Sequence, residues 1–234
     1  MRLRLPNRVC TRFTLGGRSL SSQNRQPIQL LEEARDSVQA LYVGSSRIMS
    51  GSVDGHVRTY DLRKGELRAD YIGRMCTKHY LSAPWQFYFY ADPVTSVVPT
   101  QDESTYLVMT LDGHIRLMDA ITGKLLNDFT GHVHTSYRCR ACFGHGEASV
   151  ITGDENGAIW AWDLLDVSSL TFVHRRHTSE LLLTQAKPLE PNPPPKVHHK
   201  VVTWTEHHPT EAGELITASA DGTVKVWRYP ASGT

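Results

Sequence analysis

The chain has 234 residues, 40% of them hydrophobic and 21% charged, with a formal net charge of +1. That balance argues against a broad nucleic-acid footprint, which needs a basic domain, and no run approaches the ~18–20 apolar residues of a membrane-spanning helix. The length fits a single domain of roughly 200–250 residues.

Residues 1–25 stand apart in charge. Arg2, Arg4, Arg8, Arg12, Arg18 and Arg25 all precede the first acidic residue, Glu32. Arg-rich, acid-poor leaders include mitochondrial transit peptides, but Pro6 and Gly16-Gly17 interrupt the amphipathic helix that such a leader uses. The other reading is a disordered segment or the remnant of a preceding structural unit. Pro27-Ile28-Gln29-Leu30-Leu31 then reads as an outer strand.

The phrase Ser50-Gly51-Ser52-Val53-Asp54-Gly55-His56-Val57-Arg58-Thr59-Tyr60-Asp61 follows, and it returns three times. The echoes are Thr110 to Asp119, Thr152 to Asp163 and Thr217 to Trp227. In each, Asp-Gly or Asn-Gly supplies the positive φ of a tight hairpin turn, and an apolar/polar alternation of period two marks the strand beyond it. Gly55, Gly113, Gly157 and Gly222 hold the same place, at spacings of 58, 44 and 65 residues. Only the middle spacing fits the ~40–45-residue period of a four-stranded propeller blade.

Two insertions account for the surplus. Removing residues 74–91, 18 in number, brings the first spacing to 40. The second surplus, 178–198, carries Pro188, Pro191, Pro193, Pro194 and Pro195. The predicted fold is therefore all-β, a partial propeller spanning 26–230 with blades near 36–73, 92–130, 131–176 and 199–229. The third blade is the most complete: Tyr137 to Phe143, Ser149 to Gly153 and Ala158 to Asp163 form its first three strands. Trp85, Phe87, Tyr88, Phe89 and Tyr90 crowd the first insertion without alternation or turn chemistry. Three readings fit that run: translated intron, since Phe and Tyr codons are pyrimidine-rich; an exposed loop that docks a partner; or an extra strand.

Gly131-His132, with Trp162-Asp163 after it, resembles the WD-repeat family. In that family a His, a Ser or Thr, an Asp and a Trp share hydrogen bonds within a blade. The resemblance implies such a group at His132, Thr152, Asn156 and Trp162, with Asn in the place of Asp. In the other blades it implies Ser50, Asp54 and Tyr60, then Asp112 alone, then Thr217, Asp221 and Trp227, all without a partnering His. Those blades are expected to rest on packing instead. Together with Leu31-Glu32-Glu33-Ala34-Arg35-Asp36-Ser37-Val38, Asp70-Tyr71-Ile72-Gly73 and Thr110-Leu111-Asp112, the repeats resemble the C-terminal half of the mitogen-activated-protein-kinase organizer group of WD-repeat proteins. That resemblance covers 18–73, 92–165 and 199–228. It implies a non-catalytic scaffold whose partners are signalling kinases or splicing factors. The group has seven blades and this chain shows four, so an open arc is expected, with N-terminal blades lost by truncation or gene error or supplied by another chain. The alternative is a closed four-bladed ring, sealed by pairing residues 27–31 with the last blade. On the family pattern Val53, Leu111, Glu155 and Ala220, just before the turn acid, face one partner-binding rim, with Arg47 and Thr105 near them.

The remaining motifs are weaker. His132, His134, Cys139, Cys142 and His145 lie close together, but the Cys pair falls inside an expected strand, where residues three apart face opposite ways. Buried strand cysteines are the expectation, and no metal. Four cysteines without a signal peptide point to a reducing compartment, cytoplasmic or nuclear. Pro191-Asn192-Pro193-Pro194-Pro195-Lys196 matches a proline-rich ligand, and a solvated linker equally. His198-His199 and His207-His208 are assigned to strand ends and a turn. Phosphate-binding loops, nucleophile elbows and zinc-protease helices are missing. No catalytic residue, cofactor, small-molecule substrate, nucleic acid or membrane contact is expected. The rival readings are a hydrolase with a spatially assembled site and a non-functional fragment.

Overall fold

The computed structural model describes residues 31–72, 74–75, 89–90, 92–164, 194, 196–211 and 213–228. Among them, fourteen strands make four antiparallel sheets, each a meander of consecutive strands. Blade 1 holds β1 (Val38–Val43), β2 (Arg47–Ser52), β3 (His56–Asp61) and β4 (Glu66–Tyr71). A two-residue ladder, β5 (Arg74–Met75) with β6 (Phe89–Tyr90), follows it. The ends of the first insertion thus pair; its interior lies outside the described residues.

Blade 2 holds β7 (Val94–Pro99), β8 (Thr105–Thr110), β9 (His114–Asp119) and β10 (Leu125–Phe129). Blade 3 has β11 (Ala141–Phe143), β12 (Ser149–Gly153) and β13 (Ile159–Asp163). Its first strand is shorter than expected, so Cys139 precedes the strand, and any fourth strand beyond Leu164 lies outside the described residues. Blade 4 has β14 (Val202–His207), β15 (Glu214–Ser219) and β16 (Val224–Arg228). Residues 1–25, the strand expected at 27–31 (apart from Leu31) and most of the proline loop also lie outside the described residues.

The turn residues act as their sequence dictates. Gly55, Gly113, Gly157 and Gly222 have φ of 74°, 77°, 87° and 83°, values that suit glycine and strain other residues. Each tip closes with a further repeated bond, from a turn residue to the residue just before the first strand in blades 1, 2 and 4, and to the loop before β11 in blade 3. Val53 N donates to Ser37 O at 3.0 Å, Leu111 N to Pro93 O at 3.2 Å, Glu155 N to Val133 O at 3.0 Å and Ala220 N to Val201 O at 3.0 Å.

The sheets stack face to face with their first strands side by side around a shared axis: β1 beside β7, β7 beside β11, β11 beside β14. Three of these strands, β1, β7 and β14, carry a bulge at the same place, between their first and third residues. A bulge bends a strand and increases its twist. In β8 the unbroken run Tyr106-Leu107-Val108-Met109 is buried throughout because it has a blade on either side. Tyr106 and Val108 join Met49, Val57, Val94 and Met118 between blades 1 and 2. Leu107 and Met109 join Ile115, Phe129, Phe143, Val150, Trp160 and Trp162 between blades 2 and 3. Among the described residues blade 4 has a neighbouring blade on one face alone, so the four described sheets form an open arc. Its far face is exposed at Trp204, Ile216, Val224 and Val226.

Candidate protein-interaction rim

The hairpin tips that follow β2, β8, β12 and β15 are pinned by a polar group beneath each one. In blade 1 Arg58 donates to Ser52 Oγ at 2.7 Å and to Asp54 Oδ2 at 2.7 Å, while Ser52 Oγ also donates to Asp54. Blade 2 repeats it: Arg116 reaches Thr110 Oγ1 and Asp112 Oδ2, both at 2.5 Å, and Thr110 donates to Asp112 at 2.5 Å. Arg58 and Arg116 are only 3% and 7% exposed. A buried guanidinium without its carboxylate would be strongly destabilising. Burial opposes ionisation of Asp112, but the bonds from Arg116 and Thr110 outweigh it and hold its pKa below the usual range. The expectation that these blades lean on packing alone is thus corrected. The hydroxyls are Ser52 and Thr110, with Arg in the third place. Ser50 and Tyr60 are buried apart from this group, and Tyr60 donates to Glu33 at 3.3 Å.

Blade 3 differs from the implied group. Its turn acid is Asp154, which accepts from Asn156 N at 3.0 Å, Ala158 N at 2.8 Å and Trp160 Nε1 at 3.0 Å. Trp162 donates to Thr130 O at 3.2 Å, and Thr152 donates to Gly153 O at 3.1 Å. His132 packs edge-on against Trp162, with ring centroids 5.5 Å apart, and neither ring nitrogen has a hydrogen-bond partner. His132, Thr152, Asn156 and Trp162 therefore share no hydrogen-bonded network.

That network stands in blade 4. Trp227 Nε1 donates to Thr217 Oγ1 at 2.9 Å, His198 Nε2 lies 2.8 Å from the same hydroxyl, and His198 Nδ1 lies 3.2 Å from Asp221 Oδ2. A carboxylate can only accept, so Nδ1–H faces Asp221, and the Thr217 hydroxyl, which accepts from the indole, donates to the unprotonated Nε2. The missing His is His198, which the sequence reading placed in the insertion. Lys196 instead bridges to Ala158, and Val197 and His198 both donate to Gly157 O at 2.9 Å, so blade 4 begins before 199.

Val53, Leu111, Glu155 and Ala220 occupy four equivalent tips on one rim. Arg47 and Thr105 do not join them. They open β2 and β8, whose far ends carry the tips, so both sit on the opposite rim; there Arg47 donates to Glu103 O at 3.1 Å. Strand polarity makes the two rims a strand's length apart, about 3.3 Å per residue.

Glu155 is committed to its own loop. Its carboxylate accepts from the backbone N–H of Thr135 and Ser136, both at 2.6 Å, and of Tyr137 at 3.1 Å. Burial alone would raise its pKa; these three donors pull it below the ordinary value. The loop so held presents Val133 and Tyr137, 40% and 55% exposed, two surface side chains the sequence reading did not single out. Behind them Arg138 donates to Gln39 O across the axis. The first strands here flank a half-open pocket of about 430 Å³, lined by β1, β7, Arg138–Arg140 and Thr203–Trp204. Arg140 lies 4.2 Å above the Trp204 ring and 2.8 Å from Glu206.

Cys139 and Cys142 are buried free thiols. Burial pushes their pKa values up to about 12 and about 11, leaving poor nucleophiles. His134 Nδ1 is 2.9 Å from Thr110 O, and His145 lies against His207 instead of the cysteines. No cluster of three or more metal-ligating side chains occurs among the described residues.

Comparison with known proteins agrees with this geometry. Residues 196–228 match the family model "WD domain, G-beta repeat", the span that holds the His198–Thr217–Trp227 network. Through this matched repeat the chain resembles WD-repeat proteins. Among curated relatives it is similar to WD repeat domain-containing protein 83 of Rattus norvegicus, 31% identical over 215 residues, covering 91% of this chain and 55% of the relative. The Homo sapiens counterpart is 33% identical over 210 residues, at 90% and 53% coverage. The chain spans about half the length of these relatives. A solved structure, the computationally designed Ika4 protein, matches with a TM-score of 0.58 at 19% identity, covering 88% of this chain and 99% of that one.

Proposed function

We propose that the chain is a non-catalytic scaffold for protein–protein interaction, holding partners at the rim formed by its four hairpin tips. WD-repeat proteins generally act in this way, by bringing bound proteins close enough that their encounter becomes effectively intramolecular. The observation that carries the reading is the repeated pinning of Val53, Leu111, Glu155 and Ala220 beside the loop that exposes Val133 and Tyr137. Exposed aromatic side chains on rigid supports are the residues that anchor interfaces. By the resemblance to the kinase-organizer group, its partners are components of a kinase cascade or of the splicing machinery, in the cytoplasm or nucleus.

Proximity labelling in cells with the tagged chain tests this. Kinase-cascade or splicing proteins are expected among the labelled set, and Tyr137→Ala combined with Leu111→Asp should deplete them. An unchanged labelled set, or measurable turnover by the purified chain, would count against the reading.

A further inference from the structure

The far face of blade 4 is built like a face between blades. Alignment on the turn glycines puts Val224 where Val57 and Ile115 stand; those two are 0% exposed, and Val224 is 69% exposed. Val226, 64% exposed, holds the place of Leu117 at 8%. Ile216, 39% exposed, pairs across to Val226 as Met49 pairs to Thr59 and Leu107 to Leu117. Met49 and Leu107 are 3% and 1% exposed. Ala218, paired to Val224, holds the place of Gly51, Met109 and Gly153, paired to Val57, Ile115 and Ile159. The charges at the margin are already engaged, Glu214 with Arg228 and Glu206 with Arg140.

We propose that this face docks a β-blade supplied by a different polypeptide, one whose first strand offers an apolar surface like that of Val94 and Val97. The face continues the three blade-to-blade contacts already in the molecule, and position-by-position likeness to them names the kind of occupant. A second copy of this chain is a poor fit for extending the stack. The side of its blade 1 that would have to dock is closed, with Ile48, Ser50, Arg58 and Tyr60 only 3–7% exposed. The surface lies apart from the rim, so the two assignments can fail separately.

The test uses the full chain co-expressed with the part of the rat relative that lies outside the stretch it matches. A one-to-one complex is expected by light scattering. Val224→Glu with Val226→Glu, at sites exposed in the free chain, should weaken it by about tenfold or more and leave the melting temperature of the chain alone unchanged. Leu111→Asp on the rim should leave the complex intact. Absence of a complex, or one indifferent to the paired glutamates, overturns the proposal. So does a chain that dimerises by itself and becomes monomeric in the glutamate variant, because the occupant is then a second copy.

Discussion

His132 carries a heavier burden than its buried neighbour His134, whose Nδ1 keeps a hydrogen bond to Thr110 O. It is 5% exposed, both ring nitrogens lack partners, and burial with His134 and His114 nearby pushes its pKa down to about 3. The unfolded chain therefore takes up this proton first, near the ordinary value of 6.5. The folded state keeps its full advantage above that value and loses it as pH falls from about 6.5 toward about 3. His132→Phe, which keeps a ring against Trp162, should flatten the fall in urea midpoint between pH 6.5 and 4. A wild-type slope in the variant would show that the decline arises elsewhere. The polar groups below the tips were partly legible: Ser52-x-Asp54-Gly-His-Val-Arg58 and Thr110-x-Asp112-Gly-His-Ile-Arg116 repeat the same spacing. Arg58 and Arg116 escaped notice because Arg on a strand usually means solvent; here the turn carboxylate four residues earlier takes it inside. His198 escaped because the prolines before it made its whole neighbourhood look like linker.

At the scale of elements, period-two alternation after each turn glycine made β3, β9, β13 and β16 readable, and β2, β8, β12 and β15 followed from the hairpins. Beginnings of first strands were harder. The bulge in β1, β7 and β14 breaks the alternation on which strand reading depends, and in blade 3 the loop 131–140 replaces part of the expected strand. The rim error has a related cause: Arg47 and Thr105 were grouped with the tips by position in the repeat, without the polarity of the second strand. Close contact between blades also limits side-chain size. A Cβ at Gly153 would run into Val202, the first residue of β14. Gly153→Val should therefore push β14 away and destabilise by ~1–3 kcal/mol, the range for overpacking. A chemical-denaturation midpoint equal to wild type would contradict that.

The described sheets are held mainly by nearest-neighbour contacts, so damage at one interface should spread little beyond the two blades that share it. Trp162 tests this. It is fully buried between blades 2 and 3, 6.0 Å from both Phe129 and Trp160 by ring centroids. Trp162→Ala should cost ~3–5 kcal/mol, as for other large aromatic truncations. Hydrogen exchange should rise first in β8, β9 and β11 to β13, with β1 to β4 retaining protection; uniform loss across all four blades would show one cooperative unit instead. Four repeats and an open arc were legible in the sequence. The apolar far face of blade 4 was not, because Ile216, Val224 and Val226 read as ordinary core, whereas the structure leaves them 39%, 69% and 64% exposed.

The latch at Gly157 has a consequence for how this architecture changes over time. Leu164 N is tied to Ala148 O, and Lys196 to His198 are tied back to Ala158 and Gly157, so the two ends of the intervening stretch are anchored independently of what lies between. By the general scaling of loop closure, doubling the length of a connection between fixed anchors costs only about 0.6 kcal/mol. Foreign sequence can therefore lodge there, grow or shrink with little harm to the repeats on either side, and a reporter domain grafted into it should ride along without disturbing them.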